Sequence, residues 1–125
     1  MKILVVDDDA VCLTTTRLIL EKSGHSVLTS ENGVSGLKLL KRNKDCKTVI
    51  IDISMPEMNG LEVAKNIVIN DRGLYPEVTI IIMSSEQSEA VQQMGRLAGI
   101  EHWLIKPVTP DKILAVLDEA HTNLS

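Results

Sequence analysis

The chain has 125 residues, a formal net charge of −4, and 44% hydrophobic against 24% charged residues, which predicts one globular domain with its own core. The acidic balance argues against direct nucleic-acid binding, because phosphate recognition needs clustered Lys and Arg. No apolar run reaches the roughly 18 residues of a membrane span and the amino terminus lacks a secretion signal, so a cytoplasmic protein without membrane contact is expected.

The first part of the chain predicts a strand followed by a helix. A continuous apolar run at 3–6 is typical of a strand buried on both faces, and it ends in three consecutive aspartates at 7–9. The segment 10–22 carries Cys12, Ile19 and their apolar neighbours at helical spacing, and a glycine that follows is expected to end this helix.

A weaker strand is predicted next, at 26–29. A turn at Asn32 then opens a second helix, and Val34, Leu37 and Leu40 recur along it at a helical spacing that predicts a core-facing side.

The central part of the chain predicts a third strand at 48–52, which ends in Asp52. A turn rich in Pro and Gly follows, and then a third helix at 61–70 with Val63 and Ile67 facing inward.

The last part predicts two more strands, at 79–83 and 103–105. The helix between them, at about 87–97, is the most polar, and its sparse apolar positions suggest loose attachment; these are Ala90, Val91, Met94 and Leu97. Thr109 as N-cap and Pro110 as first helical residue predict the start of the fifth helix. Its inward positions are Ile113, Val116 and Leu117.

Five strands therefore alternate with five helices, which is the pattern of a parallel sheet covered by helices on both faces. Right-handed crossovers make the strand order 2-1-3-4-5 the most economical topology. The predicted fold is a single α/β domain over 1–125, doubly wound, without repeats or linkers.

Polar residues follow four of these strands at the point where each ends: Asp7 and Asp8 after the first, Asp52 closing the third, Ser84 after the fourth and Lys106 after the fifth. Ligands of open α/β sheets bind at this edge. Three converging carboxylates repel each other, so the folded state requires a cation there or at least one carboxyl group with a raised pKa. Mg²⁺, with its preference for oxygen ligands, is the natural cation.

Phosphoryl transfer is the reaction that uses a carboxylate, Mg²⁺, a lysine and a hydroxyl together, because it depends on positioning and on neutralising charge. In this interpretation Asp52 is the nucleophile and forms an acyl phosphate. Lys106 and Ser84 would contact the phosphoryl oxygens.

Each signal also has a structural interpretation. The aspartates at 7–9 could cap the first helix, although one cap needs only one of them, and Ser84 could cap the fourth helix with Gln87 as its partner. Lys106 could be a solvated lysine and Trp103 an aromatic at the edge of the core. Recurrence at four strand ends favours the site.

Cys12 and Cys46 lie far apart in the sequence without metal-ligand spacing, which favours free thiols in a reducing compartment. The three histidines likewise lack such spacing and are predicted to be surface or loop residues. They are His25, His102 and His121.

The sequence resembles the response-regulator receiver domains of two-component signalling, and is similar to the bacterial chemotaxis regulators, over essentially its whole length. The residues that carry the resemblance are Asp7 and Asp8 after ILVV, Asp52 in VIIDISMPEMNG, Ser84 in IIIMSSE and Lys106-Pro107 in HWLIKP. The resemblance implies a flavodoxin-like fold and a cis Lys106-Pro107 bond.

The resemblance also implies a role for each site residue. Asp52 would be the phosphoacceptor, Asp8 and Asp52 with the backbone carbonyl of Ser54 would bind Mg²⁺, and Asp7 would orient the waters of the metal. Ser54 and Glu86 would tune dephosphorylation.

A conformational switch is implied as well. Ser84 would move toward the phosphate and Trp103, where the family usually has Tyr or Phe, would fill the vacated space. The changed surface would be the face of the fourth helix, fifth strand and fifth helix.

The implied partners are a histidine kinase or a His-containing phosphotransfer protein upstream and a protein target downstream. The domain would be a signalling receiver that catalyses its own phosphorylation and dephosphorylation, as a monomer or a weak phosphorylation-dependent dimer. Two other classes stay open: an Asp-dependent phosphohydrolase, for which Ser54 replaces the usual second acid, and a phosphate-independent interaction module.

Overall fold

The fold is known from a computed structural model that describes residues 1–53, 78–85, 89–97, 100 and 102–122. The helix predicted at 61–70 lies outside the described residues, as do Ser54, Glu86 and Gln87. The strands are β1 Lys2–Val6, β2 Ser26–Ser30, β3 Thr48–Asp52, β4 Thr79–Ser84 and β5 His102–Ile105. The described helices are α1 Ala10–Lys22, α2 Gly33–Arg42, α3 Glu89–Leu97 and α4 Pro110–Thr122. Helices α3 and α4 correspond to the fourth and fifth helices of the sequence prediction.

The five strands form one parallel sheet in the order β2-β1-β3-β4-β5, which confirms the predicted topology. The register places Val6 beside Ile51 and Asp52 beside Met83. It also places Ser84 beside Ile105, so the strands end at a common edge. Four strands are one residue longer than predicted, and β3 has the predicted bounds.

The sheet is buried on both faces, as the continuous apolar strands predict. Alternate strand residues face opposite layers, and one layer is formed with α1 and α4. Its fully buried members include Ile3, Ile50, Ile81, Met83, Leu20 and Ile113. The other layer, formed with α2, includes Leu4, Ile51, Ile82, Leu40 and Ile100.

The buried faces of the first two helices include residues that a hydrophobicity pattern does not mark. In α1 the buried residues are Leu13, Thr16 and Leu20, while Cys12 and Ile19 lie at the margin of this face. Cys12 and Ile19 nevertheless pack against the core, as their spacing predicts, and Thr16 is an additional buried position.

In α2 the prediction that Val34 faces the core is wrong, since this residue is 45% exposed. The buried positions are Gly33, Gly36 and Leu40. Gly36 allows the helix to lie close to Val6 of the sheet, and a hydrophobicity pattern does not register a glycine as a core residue.

Leu97, one of the apolar residues predicted for the fourth helix, is outside the core, with 82% of its surface exposed. The side chains of the other three, Ala90, Val91 and Met94, lie outside the described part of the chain. In α4 the inward positions Ile113, Val116 and Leu117 are all buried, as predicted.

The helix ends follow the predicted signals. The Asn32 side chain accepts a hydrogen bond of 2.8 Å from Ser35 N, and Thr109 Oγ1 accepts one of 3.3 Å from Lys112 N. Gly24 follows α1 with φ of +92°, a conformation that favours glycine. Among the described residues, no helix combines the length and apolar character that crossing a membrane requires.

The close packing of α2 predicts the effect of Gly36→Ala. A Cβ at this position would lie 2.9 Å from Val6 Cγ2, on a stiff side chain in a buried strand. The overpacking cost of about 1–3 kcal/mol should outweigh the gain in helix propensity, which is at most about 1 kcal/mol. Urea unfolding should therefore give a lower free energy of unfolding for Gly36→Ala than for wild type. Adding Val6→Ala to this variant should restore the part of that free energy that the steric clash removes. A Gly36→Ala variant as stable as wild type would contradict this packing.

Candidate functional site

Three acidic side chains meet at the carboxyl edge of the sheet. Asp7, Asp8 and Asp52 each place one carboxylate oxygen within 4.8 Å of the others. Asp7 is fully buried and Asp52 is 5% exposed, whereas Asp8 is exposed. The chain thus brings together the acidic residues that the strand ends predict, at the junction of β1 and β3.

The three consecutive aspartates divide into two functions. Asp9 is the N-cap of α1, because its Oδ1 accepts hydrogen bonds from Val11 N at 3.0 Å and Cys12 N at 3.3 Å. Asp7 Oδ1 in turn accepts one from Asp9 N at 2.9 Å. The capping interpretation therefore holds for Asp9, and Asp7 and Asp8 remain for the acidic cluster.

Lys106 joins the cluster from the end of β5. Its Nζ lies 3.1 Å from Asp7 Oδ2 and 3.3 Å from Asp52 Oδ2. Burial disfavours the ammonium, but the hydrogen bond to Asp7 and the charges of Asp52 and Asp7 outweigh this, so the pKa of Lys106 is raised. The lysine is not an isolated solvated side chain; it bridges two buried carboxylates.

Ser84 and Trp103 lie on the neighbouring strands β4 and β5. Ser84 is 1% exposed, and its carbonyl oxygen accepts a hydrogen bond of 2.8 Å from Lys106 N. Trp103 is half-buried and packs on the layer that contains Ile82 and Ile100. The Lys106-Pro107 bond is cis, as the resemblance implies.

Cys12 belongs to the surroundings of the site, which the sequence did not predict. Burial, a hydrogen bond to the Asp7 carboxylate and the charge of Asp7 raise the pKa of the Cys12 thiol to about 11. The signal was available in principle, since Cys12 lies on the first turn of the helix that begins directly after Asp7 to Asp9. An open cavity of about 420 Å³ separates this turn from the segment 106–108.

The remaining cysteine and histidine predictions have mixed outcomes. Cys12 and Cys46 are both free thiols, as predicted, and His25 lies in the turn before β2. His102 contradicts the prediction of a surface or loop residue, because it lies on β5 with 11% of its side chain exposed and Nδ1 3.9 Å from Glu119 Oε1. His121 lies on α4, and its Nε2 is 3.2 Å from Thr48 Oγ1.

The charges of the cluster suit a hard divalent cation. Three carboxylates against one ammonium leave two negative charges, 3 minus 1, in a partly buried site. Mg²⁺ is typically bound by one or two carboxylates together with waters and phosphate oxygens. The residues present therefore fit Mg²⁺, and the same edge of the sheet suits a phosphate group.

Comparison with known proteins identifies the class. The chain is a doubly wound α/β domain with an acidic cluster and a lysine at the carboxyl edge of its sheet, and residues 3–118 match the model of the response regulator receiver domain. The chain belongs to this family, whose members act in two-component signalling.

Individual relatives support the assignment. The chain is 36% identical to a chemotaxis protein CheY homolog of Campylobacter jejuni, over 95% of this chain and 91% of that protein. It is 34% identical to the chemotaxis protein CheY1 of Helicobacter pylori, over 94% of each. The structure of the chemotaxis response regulator CheY4 of Vibrio cholerae superposes with a TM-score of 0.87 at 28% identity, over 95% of this chain and 97% of that one.

The bridging position of Lys106 predicts the effect of Lys106→Met. Loss of the ammonium leaves Asp7 and Asp52 without their shared cation, and we expect a loss of up to about 3 kcal/mol in the free energy of unfolding. Mg²⁺ should stabilise this variant more than wild type, because the cation then offsets a larger uncompensated charge. Urea unfolding with and without Mg²⁺ measures both effects, with Lys38→Met on the exposed surface of α2 as the control. Equal Mg²⁺ dependence in the variant and wild type would contradict the electrostatic interpretation.

The raised pKa of Cys12 predicts slow alkylation. The thiolate is the reactive species, so at pH 8 a pKa of about 11 instead of 9.0 lowers its fraction by about a hundredfold. In a Cys46→Ala background, iodoacetamide should label Cys12 far more slowly than a free thiol, and the rate should keep rising above pH 9. Asp7→Asn should accelerate labelling, because it removes the negative charge beside the thiol. Labelling of the folded protein at the free-thiol rate would disprove the assignment.

Proposed function

We propose that Asp52 accepts a phosphoryl group from a histidine kinase or a His-containing phosphotransfer protein, and that this modification switches the domain. One observation carries the proposal: Asp52 is a buried carboxylate at the sheet edge, adjacent to Asp7 and Asp8 and paired with Lys106. An ionised carboxylate acts as a nucleophile without a general base.

The proposed transfer forms one bond and breaks one. A carboxylate oxygen of Asp52 attacks phosphorus while the P–N bond of a phosphohistidine breaks, and the electron pair of that bond returns to the imidazole. Catalysis consists of positioning the groups in line and neutralising charge on the phosphoryl oxygens. The open cavity between Cys12 and Lys106 supports access of the donor from this side.

Two residues of this chain would stabilise the phosphoryl group. Lys106 Nζ, already 3.3 Å from Asp52 Oδ2, would pair with one phosphoryl oxygen. The Ser84 hydroxyl, on the buried end of β4, would donate a hydrogen bond to another. In dephosphorylation a water attacks phosphorus and the Asp52 carboxylate is the leaving group, so the domain also resets itself.

Asp8 and Asp52, with the backbone carbonyl of Ser54, are the proposed Mg²⁺ ligands, and Asp7 would orient the waters of the metal. When bound, Mg²⁺ would neutralise charge on the transferring group. The residual charge of the acidic cluster supports this assignment. Ser54 lies outside the described residues, so its part rests on the family resemblance.

The proposed output is a change in protein binding. Phosphate on Asp52 would favour a state in which Ser84 and Trp103 have moved, which alters the face formed by α3, β5 and α4. Such a switch works only by differential stabilisation of its two states. The target is a downstream protein, the domain is a monomer or a weak phosphorylation-dependent dimer, and the cytoplasm is the proposed compartment. Family membership favours this signalling role over a phosphohydrolase.

The decisive substitution is Asp52→Asn. Incubation of the wild type with acetyl phosphate and Mg²⁺ should produce an acyl phosphate that intact-mass spectrometry and phosphate-affinity electrophoresis detect. Asp52→Asn should abolish it, because an amide oxygen is a poor nucleophile, and chelation of Mg²⁺ should slow its formation in the wild type.

The matched control is Asp9→Ala, which removes the helix cap at a cost of about 1 kcal/mol but leaves the acidic cluster in place. This variant should still be phosphorylated. An acyl phosphate of undiminished yield in Asp52→Asn would sink the proposed site, as would its absence from the wild type at saturating donor.

A further inference from the structure

Helix α3 and strand β5 meet where a glycine faces an indole. Gly95 is buried, and a Cβ built on it would lie 2.9 Å from Cη2 and 3.3 Å from Cε2 of Trp103, and nearer still to Cζ2. Real Cβ atoms do not approach ring carbons so closely, so no other residue fits here without movement of the ring. The six-membered ring of Trp103 occupies the space that a side chain at position 95 would need.

The space beside Gly95 that the Trp103 ring occupies, here called the notch, is held in place by contacts of both α3 and the sheet. The Gly95 carbonyl oxygen accepts a hydrogen bond of 2.8 Å from Ile100 N, and Ile100 is 1% exposed. Trp103 lies beside Ile82 in the β4–β5 register and packs on the same apolar layer as Ile100. The indole is therefore held between the end of α3 and the core.

An indole displaced from the notch has somewhere to go. In the described sheet β5 is an edge strand, so the ring can turn outward without crossing another strand. On the far side of β5 an open groove of about 320 Å³ runs along α4 between Lys112 and Glu119, and Trp103 already forms part of its wall. This groove has space for an indole that leaves the contact with Gly95.

We propose that Gly95 is the positioning residue for Trp103: it holds the indole inward and couples the ring to α3. The packing stands on its own, whereas the role of the coupling in signalling rests on the proposed function. Tyr and Phe, the usual aromatic residues at this position of the family, are smaller than Trp, and Gly95 supplies the extra space that the indole needs. Movement at the Ser84 end of β4 would reach α3 through this contact.

The first test uses the fluorescence of Trp103, the single Trp of the chain. Overpacking by one methyl group should shift the inward to outward equilibrium by about 5- to 150-fold. Without Mg²⁺ or phosphodonor, Gly95→Ala should show red-shifted emission and stronger quenching by acrylamide than wild type. Gly36→Ala is the matched control, because it introduces a similarly close contact on α2 with Val6 instead of the indole. Unchanged emission of folded Gly95→Ala would overturn the proposal.

A double-mutant cycle removes the ambiguity of a variant that is merely destabilised. When Trp103 is present, Gly95→Ala should lower the urea concentration at the midpoint of unfolding. In a Trp103→Leu background, where no ring fills the space beside residue 95, the same substitution should have little effect. The two changes should therefore be strongly non-additive in urea unfolding. Additive effects would show that Gly95 and Trp103 do not share this space, and would contradict the proposal.

The coupling is tested by hydrogen exchange of the peptide that contains residues 89–97. Beryllofluoride with Mg²⁺ should change its protection in wild type and in Gly36→Ala, and the change should be lost in Gly95→Ala. Acyl phosphate formation on Asp52 is measured in parallel. If Asp52 is phosphorylated in every variant but the protection change persists in Gly95→Ala, the coupling is wrong and the proposed function stands. If wild type is not phosphorylated, the proposed function fails, and the fluorescence and unfolding tests still decide whether Gly95 positions Trp103.

Discussion

The site depends on one electrostatic arrangement, the Lys106 ammonium bridging the buried carboxylates of Asp7 and Asp52. Two buried negative charges repel each other, and each loses its hydration, so neither is stable there without a cation. The lysine offsets part of this cost and leaves a residual negative charge that includes Asp8. Because of this residual negative charge, the site favours the binding of a further cation, and an added anion strongly changes the electrostatic energy of the site. Both properties are required of a domain that is switched by phosphate.

The parallel sheet is what makes this arrangement possible. Strands that run in the same direction end at one edge, so residues that are distant in sequence meet there, as Asp7 and Lys106 do. The same edge holds Ser84 at the end of β4, next to the strand that carries Trp103. The charged cluster and the residues of the proposed conformational response are therefore neighbours at the sheet edge, connected by the hydrogen bond from Lys106 N to the Ser84 carbonyl.

The sequence predicted the position of a residue in the fold where its residue type, in that context, has only one plausible environment. A charged residue directly after a buried strand predicts the sheet edge, which is why Asp52 and Lys106 could be placed together before the structure was known. Glycine packing could not be predicted, because a missing side chain has no hydrophobic signal: Gly36 is a buried position of α2 whereas Val34 is exposed, and Gly95 lies against Trp103. The environment of Cys12 was missed for a related reason, since it depends on the three-dimensional approach of Asp7.

The central claim is that Asp52, among the clustered carboxylates, is the nucleophile. Borohydride reduces an aspartyl phosphate to homoserine, so trapping after reaction with acetyl phosphate and Mg²⁺, followed by tandem mass spectrometry, locates the modified residue directly. The account predicts homoserine at position 52 and unmodified aspartate at positions 7 and 8. Homoserine at Asp7 or Asp8, with Asp52 intact, would contradict it.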